Sequence, residues 1–365
     1  MTFTPIDPER NIANKRRVSA ALQAAIDGPA AQIEATLAAV TADGALTRSS
    51  HPVNDQSGVA ASTAALWRPL RQALPDLERR DWLIIGGVDA DSGLDHVAIS
   101  GFYVGTFTND LFGIPANRQS ITLRYNEMHR LEGDGLISRS WIWIDYLALM
   151  HQIGYCPIAP SLGAEGQWLA PRTQDALIFT PQDESASRAS HELVAAMGAG
   201  LGQFNATKPD RASLDEMGQV NFWHPNFLWY GPAGIGTTRG LRGFEDYHQI
   251  PFLVAVPDRG GGGDEPMSHI SEGNYSVISA WDIMRATHTG GNWLGLAPTG
   301  QRVSMRVMDV YRCAPGPAGD LRLCENWVPI DIIECLHQLG VDVFGRLRHQ
   351  YRQQGAISAS EFLVR

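Results

Sequence analysis

Apolar residues recur at helical spacing in two distant stretches, Val18–Val40 and Ser190–Phe204, both rich in Ala and Leu. Each is expected to be a helix that opens a structural unit. Further on, the spacing tightens to alternation. In Val303–Arg312, the residues Val303, Met305, Val307, Asp309 and Tyr311 share one strand face, and Ser304, Arg306, Met308, Val310 and Arg312 take the other. Ser276–Ala286 and Leu321–Ile330 also have strand character, while Gly243–Leu253 and Ile332–Leu339 are expected as short helices. Helices gathered before an antiparallel sheet define an α+β fold rather than a doubly wound parallel one. A curved sheet wrapped over a helix encloses one apolar pocket, a usual site for a small molecule.

The pattern occurs twice. GIPANRQSITLRYNEMHR (Gly113–Arg130) aligns without a gap to GLAPTGQRVSMRVMDVYR (Gly295–Arg312), and WIWIDYLALMHQIG (Trp141–Gly154) aligns to WVPIDIIECLHQLG (Trp327–Gly340). Two such blocks in the same order mark a tandem duplication. Upstream the match is looser: Ala73-Leu-Pro-Asp76 answers Ala255-Val-Pro-Asp258, and His51-Pro52 is paired with His224-Pro225. On that pairing the first copy is about nine residues shorter before Pro75 and lacks a Gly-Pro loop. The expected divisions are 1–155 for the first copy, 156–188 for a Pro/Gly-rich linker, 189–350 for the second copy and 351–365 for a tail.

Charge and motifs narrow the function classes. A net charge of −10 disfavours nucleic acid or an anionic membrane as partner. The N-terminal stretch has no apolar secretion core and no long apolar run follows, so the cytoplasm is the expected location. The four cysteines form no C-x-x-C pair, are expected to be reduced, and imply no metal. Gly260–Gly263 has no following Lys-Ser/Thr and is not a phosphate loop.

The second copy resembles the SnoaL-like polyketide cyclases of the nuclear-transport-factor-2-like superfamily. The resemblance rests on His224-Pro225, Gly231-Pro232-Ala233-Gly234, Gly240-x-x-Gly243-Phe244, His248, Pro251-Phe252-Leu253, Pro257-Asp258, Thr287-His288-Thr289-Gly290, Pro298-Thr299-Gly300 and Asp309-Val310-Tyr311-Arg312, with Trp327, Asp331 and Gln338-Leu339-Gly340. It implies two tandem cone-shaped α+β barrels, frequent oligomers and a cofactor-independent ring closure in which a carboxylate moves a proton next to a carbonyl. His288 and Asp309 fall at the family's active-site histidine and acid/base aspartate.

The residues support part of this independently. Asp309 interrupts an apolar row, where desolvation should lift its pKa towards the working pH. His288 shares its parity with the apolar Ile278, Ala280, Met284 and Ala286 and is expected to polarise the substrate carbonyl; core packing is its alternative role. His224, His248, Trp229, Tyr230, Phe252 and Met305 are candidate substrate contacts, the aromatic ones by ring stacking. In the first copy Glu127 replaces Asp309, and Thr106 or Phe107 replaces His288. That copy is read as a degenerate partner that packs on the second as an intrachain pseudo-dimer, with Glu127 as a candidate residual site; further homodimerisation is open. The expected ligand is a small, hydrophobic, carbonyl-bearing molecule. A hydratase, isomerase or ester hydrolase, or a non-catalytic small-ligand binder, would use the same pocket.

Overall fold

A computed structural model describes residues 2–204, 211–261, 263 and 266–353. Most of the expected tail therefore lies outside the described residues, as does part of the Gly260–Gly263 run. The first unit runs α1 (Pro8–Asp27), α2 (Ile33–Ala38), β1 (Thr41–Ser49), β2 (Asn54–Ser57), α3 (Val59–Ser62), α4 (Arg68–Ala73), β3 (Glu78–Val88), β4 (Asp95–Thr106), β5 (Ser120–Leu131), β6 (Ile137–Ile144) and α5 (Tyr146–Gln152). The second runs α6 (Glu184–Leu201), α7 (Arg211–Glu216), β7 (Trp223–Tyr230), β8 (Thr238–Arg239), α8 (Gly240–Phe244), α9 (Ile250–Ala255), β9 (Ser268–Glu272), β10 (Tyr275–Thr287), β11 (Arg302–Pro315), β12 (Leu321–Trp327), α10 (Ile332–Gln338) and α11 (Val343–Gln353). Among the described residues no helix is long and apolar enough to cross a membrane.

Two tandem α+β units are thus present, but each sheet is mixed. The strand orders are β2-β1-β6-β5-β4-β3 and β8-β7-β12-β11-β10-β9. β1 pairs parallel with β6, and β7 parallel with β12, while the other pairs are antiparallel. The purely antiparallel expectation fails because a strand follows the opening helices in each unit and returns beside the last one. In the first unit that strand reads TADGALTRS, with too little apolar alternation to be recognised. In the second it is the aromatic run WHPNFLWY.

The structural register corrects the upstream alignment. β1 begins at Thr41 and β7 at Trp223; π-helical turns follow at Thr63–Trp67 and Glu245–Gln249, and α4 and α9 start right after them. All these elements keep one constant spacing. His51 is therefore equivalent to Ala233, not to His224, and the segments leading to Pro75 and Pro257 are equal in length. The first copy has lost no loop.

The sheets pack back to back. Trp82, Leu83, Met128, Trp141 and Trp143 of the first unit share one buried cluster with Tyr275, Trp281, Met308, Val310 and Trp327 of the second. The stretch expected as linker is docked here: Trp168, Ala176 and Ile178 join the cluster, and Ile84 of β3 donates its N–H to Ala176 O and accepts from the Ile178 N–H. This is an intrachain pseudo-dimer.

Reciprocal caps lock it. Asp145 accepts from the Ala148 N–H at the start of α5 (2.9 Å) and, across the interface, from the Ala233 N–H (2.9 Å). Asp331 accepts from the Glu334 N–H at the start of α10 (3.2 Å) and, across the interface, from the His51 N–H (2.8 Å). Arg124 and Arg306 stand beside the two caps at 3.5 and 3.1 Å. Asp331→Ala removes a cap, the acceptor of the His51 amide and one of the two carboxylates beside Arg306, so it should cost roughly 2–4 kcal/mol. Urea unfolding measures it; a loss within error would show that the interface does not depend on this contact.

Candidate active site

The alternation of β11 holds through its acid. Met305, Val307, Asp309 and Tyr311 all line one cavity of about 860 Å³ in the second unit. Trp223 and Trp229 of β7, Phe244, His248 and Phe252 of the α8–α9 segment, Met284 and Trp293 complete much of its wall. Asp91, in the β3–β4 loop of the first unit, also lines it and is exposed. One copy therefore contributes to the other's cavity.

Asp309 is half-buried in this apolar setting. Desolvation disfavours its charge and raises its pKa to about 6, against hydrogen bonds from Asn326 and Tyr311 that favour the ionised form. The Asn326 amide nitrogen lies 3.4 Å from Oδ1. His248 lies in the π-helical turn, a common place for functional side chains. Its ring stacks on Trp229 at 4.0 Å and lies nearly parallel to Phe252 at 5.9 Å. Its Nδ1 is buried without a partner. Burial lowers its pKa to about 3, so the imidazole is neutral at physiological pH and free to hydrogen-bond a ligand.

His288 stands elsewhere. It is fully buried, with its ring edge-on to Trp293 at 6.2 Å, and does not line the cavity. Nδ1 lies 3.1 Å from the Thr299 hydroxyl and 3.3 Å from the Thr299 N–H, and Nε2 is buried without a partner. Asp309 pairs with Ile278, whereas His288 follows the last pair of β10, Thr287 with Arg302. Seven strand positions separate Arg302 from Asp309, roughly 20 Å at the rise of an extended chain. The structure does not bring the two residues to one carbonyl. It also resolves their repeat equivalence: His288 bonds Gln301 O and Gly300 N as Phe107 bonds Gln119 O and Arg118 N. A phenylalanine thus fills the same place in the first unit.

Trp229, Phe252 and Met305 line the cavity as expected positions on its wall. Tyr230 and His224 do not, because β7 alternates and both lie on the parity opposite to Trp223 and Trp229. Tyr230 stacks on Trp327 at 5.1 Å in the interface and donates to Glu325 (3.3 Å). His224 is half-exposed, with Nδ1 accepting from the Asn226 N–H (3.1 Å). Sequence reasoning passed over Asn326 and Trp293. The signal for Asn326 was available: it pairs with Tyr311 and so shares the inward face.

In the first unit the same position is plugged. Glu127 is fully buried and receives both Arg79 Nη atoms (3.1 and 2.7 Å), the Tyr103 hydroxyl (3.0 Å) and His129 Nε2 (3.4 Å). Burial would raise its pKa, but Arg79 and His129 outweigh it and bring the value to about 2. Such a carboxylate is a fixed ion-pair partner, not a base, which removes Glu127 as a residual site. Ile99 faces Glu127 as Ile278 faces Asp309, and the Glu78–Val104 pair recurs as Gly260–Arg285. On that register the plugging residues Arg79, Tyr103 and Tyr125 become Gly261, Met284 and Val307, all on the cavity wall. The cavity exists because those side chains are gone. Among the described residues no three His, Cys, Asp or Glu side chains are grouped to hold a metal ion, and the four cysteines are free.

The SnoaL-like polyketide cyclase family matches this chain at residues 31–153 and again at 210–339. The chain belongs to that family, as two copies in tandem. Single-unit structures are similar to it. A putative SnoaL-like polyketide cyclase from Jannaschia sp. CCS1 is 18% identical over 40% of this chain and 94% of its own, with a TM-score of 0.33. IdmH, a putative polyketide cyclase from Streptomyces antibioticus, is 19% identical over 41% of this chain and all of its own (100%), with a TM-score of 0.30. AclR, a putative hydroxylase from Streptomyces galilaeus, is 19% identical over 39% and 97%, with a TM-score of 0.32. None of the curated proteins matches the chain.

Two stability measurements follow from these carboxylates. Asp309 binds its proton more tightly folded than unfolded, so its contribution to stability is full below about pH 4 and is lost as the pH rises through about 6. Between pH 4 and 7, Asp309→Asn should gain about 1–3 kcal/mol relative to the parent protein; a constant difference would mean an unperturbed carboxyl. Glu127→Ala takes from the buried Arg79 the carboxylate that holds both its Nη atoms and leaves it Asp81, and should cost about 3–5 kcal/mol in chemical unfolding.

Proposed function

We propose that the second unit is a cofactor-independent enzyme that moves a proton next to a carbonyl in a largely apolar small molecule, closing a ring in an aldol-type step. The observation that carries this reading is the presence of one perturbed carboxylate, Asp309, and one neutral imidazole, His248, on the wall of the same aromatic-lined cavity. Fold membership alone would not carry it, since one fold hosts many chemistries.

In this mechanism the Asp309 carboxylate takes the proton from the carbon beside the carbonyl. The resulting enolate oxygen is stabilised by the N–H of the neutral His248 ring, a contribution that grows as the charge develops. The enolate carbon attacks a second carbonyl of the same molecule, one carbon–carbon bond forms, and the new alkoxide recovers the proton from Asp309. Protons balance and no oxidant is needed. Tyr311 and Asn326 hold the carboxylate in place. Burial of the stacked rings of Trp229 and Phe252 against a flat ligand supplies affinity.

The test uses α-deuterated ketones and keto esters of polycyclic size, with exchange and cyclisation followed by mass spectrometry. Asp309→Asn should lower the rate by roughly 10²–10⁴-fold, and kcat/KM of the parent should rise with pH to a plateau above about 6. His248→Phe keeps the stack and should lose about 10²-fold in kcat. Full turnover by Asp309→Asn would end the mechanism. Tight binding without exchange in either protein would instead favour a non-catalytic carrier.

A further inference from the structure

Three buried cations among the described residues keep carboxylate company. Lys15 pairs with Glu272, Arg79 with Glu127 and Arg312 with Glu325. Arg259 is half-buried on the cavity wall and has no carboxylate partner among the described residues. Its guanidinium lies over the Phe204 ring at 5.1 Å, a contact that offsets lost hydration only in part. Asp91 also lines the cavity but makes no ion pair with Arg259.

The repeat shows what this position looks like without a cavity. Leu77 donates its N–H to Leu74 O at 3.1 Å just as Arg259 donates to Val256 O at 3.3 Å, each directly ahead of the equivalent pairs Glu78–Val104 and Gly260–Arg285. Leu77 is a buried apolar residue. In the second unit an arginine occupies its place, beside the glycine that replaces the plugging Arg79. A guanidinium partly stripped of water and left unpaired is unfavourable unless something anionic completes it.

We propose that Arg259 is the specificity-determining residue of the cavity and that the ligand bears an anionic oxygen group, a carboxylate or its equivalent, which the guanidinium engages. This rests on the reading that the cavity takes an apolar carbonyl compound, and it adds the class: an aromatic or polycyclic acid rather than a neutral ketone. Arg259 positions and selects; the proton transfer stays with Asp309. A planar fork of donors suits a two-oxygen acceptor better than a single ammonium would.

Two fluorescent probes of one shape separate charge from fit. Anilinonaphthalene sulfonate carries an acidic group, and phenylnaphthylamine has the same aromatic body without it. Both are titrated into the full chain, Arg259→Leu, Arg259→Lys and Val307→Tyr, the last restoring the bulk of the first unit. Arg259→Leu should weaken the sulfonate at least about tenfold and change the neutral probe less than about twofold, while Arg259→Lys keeps most of the difference. Val307→Tyr should weaken both. If the two probes bind and Arg259→Leu leaves their ratio unchanged, the anion assignment is wrong and the apolar-ligand reading stands. If neither binds, or Val307→Tyr affects neither, the cavity reading fails and takes this inference with it.

Discussion

Each sheet in this chain has two faces that water cannot be allowed to reach, and that requirement shapes the molecule. The inner face wraps helices; the outer face carries Trp82, Trp141 and Trp143 in one unit and Trp281, Met308 and Trp327 in the other. Either unit alone would present this apolar surface to solvent, a contiguous patch of the kind that marks an interface. Packing the two outer faces together satisfies both at once. The helix-capping aspartates then turn a general apolar contact into a specific one, because each uses its second oxygen on the backbone of the other unit.

Within that frame the two interiors solve the same problem in opposite ways. The first buries a carboxylate and compensates it fully with Arg79, Tyr103 and His129. The second keeps the carboxylate, removes the compensation and leaves space. A network closed by an ion pair gives rigidity, whereas an acid held only by the neutral Asn326 and Tyr311 on an aromatic-walled cavity is less stabilised. The reciprocal caps and the shared interface let one copy carry that cost while the other stays filled.

Much of this was legible in the residues. The duplication follows from the two aligned blocks, and the alternation of Val303–Arg312 and the inward placing of Asp309 from periodicity, because β11 is a regular strand. What escaped were features that periodicity does not encode. β1 is polar and short of alternation, so the sequence alone points to an antiparallel sheet, and a chance His-Pro match misaligns the upstream segments. His288 has the right parity but lies at the far end of its strand, past an irregular stretch between Trp281 and Arg285; distance along a strand is invisible to a face argument. Tyr230 and His224 sit in sequence among aromatic neighbours, but strand geometry sends alternate residues to opposite sides. The plug around Glu127 required Arg79, some fifty positions away, and no local pattern announces such a partner.

The covalent joining of the units has a consequence of its own. Two separate chains meeting through these faces would associate according to their abundance, and a diluted pool would hold unpaired halves. Here the second half is always within reach of the first, so assembly is independent of how much protein a cell makes. Freed from having to be identical, the halves can also drift apart: a substitution that fills one interior no longer fills both, and a loop such as the one bearing Asp91 can be tuned to its neighbour's opening alone.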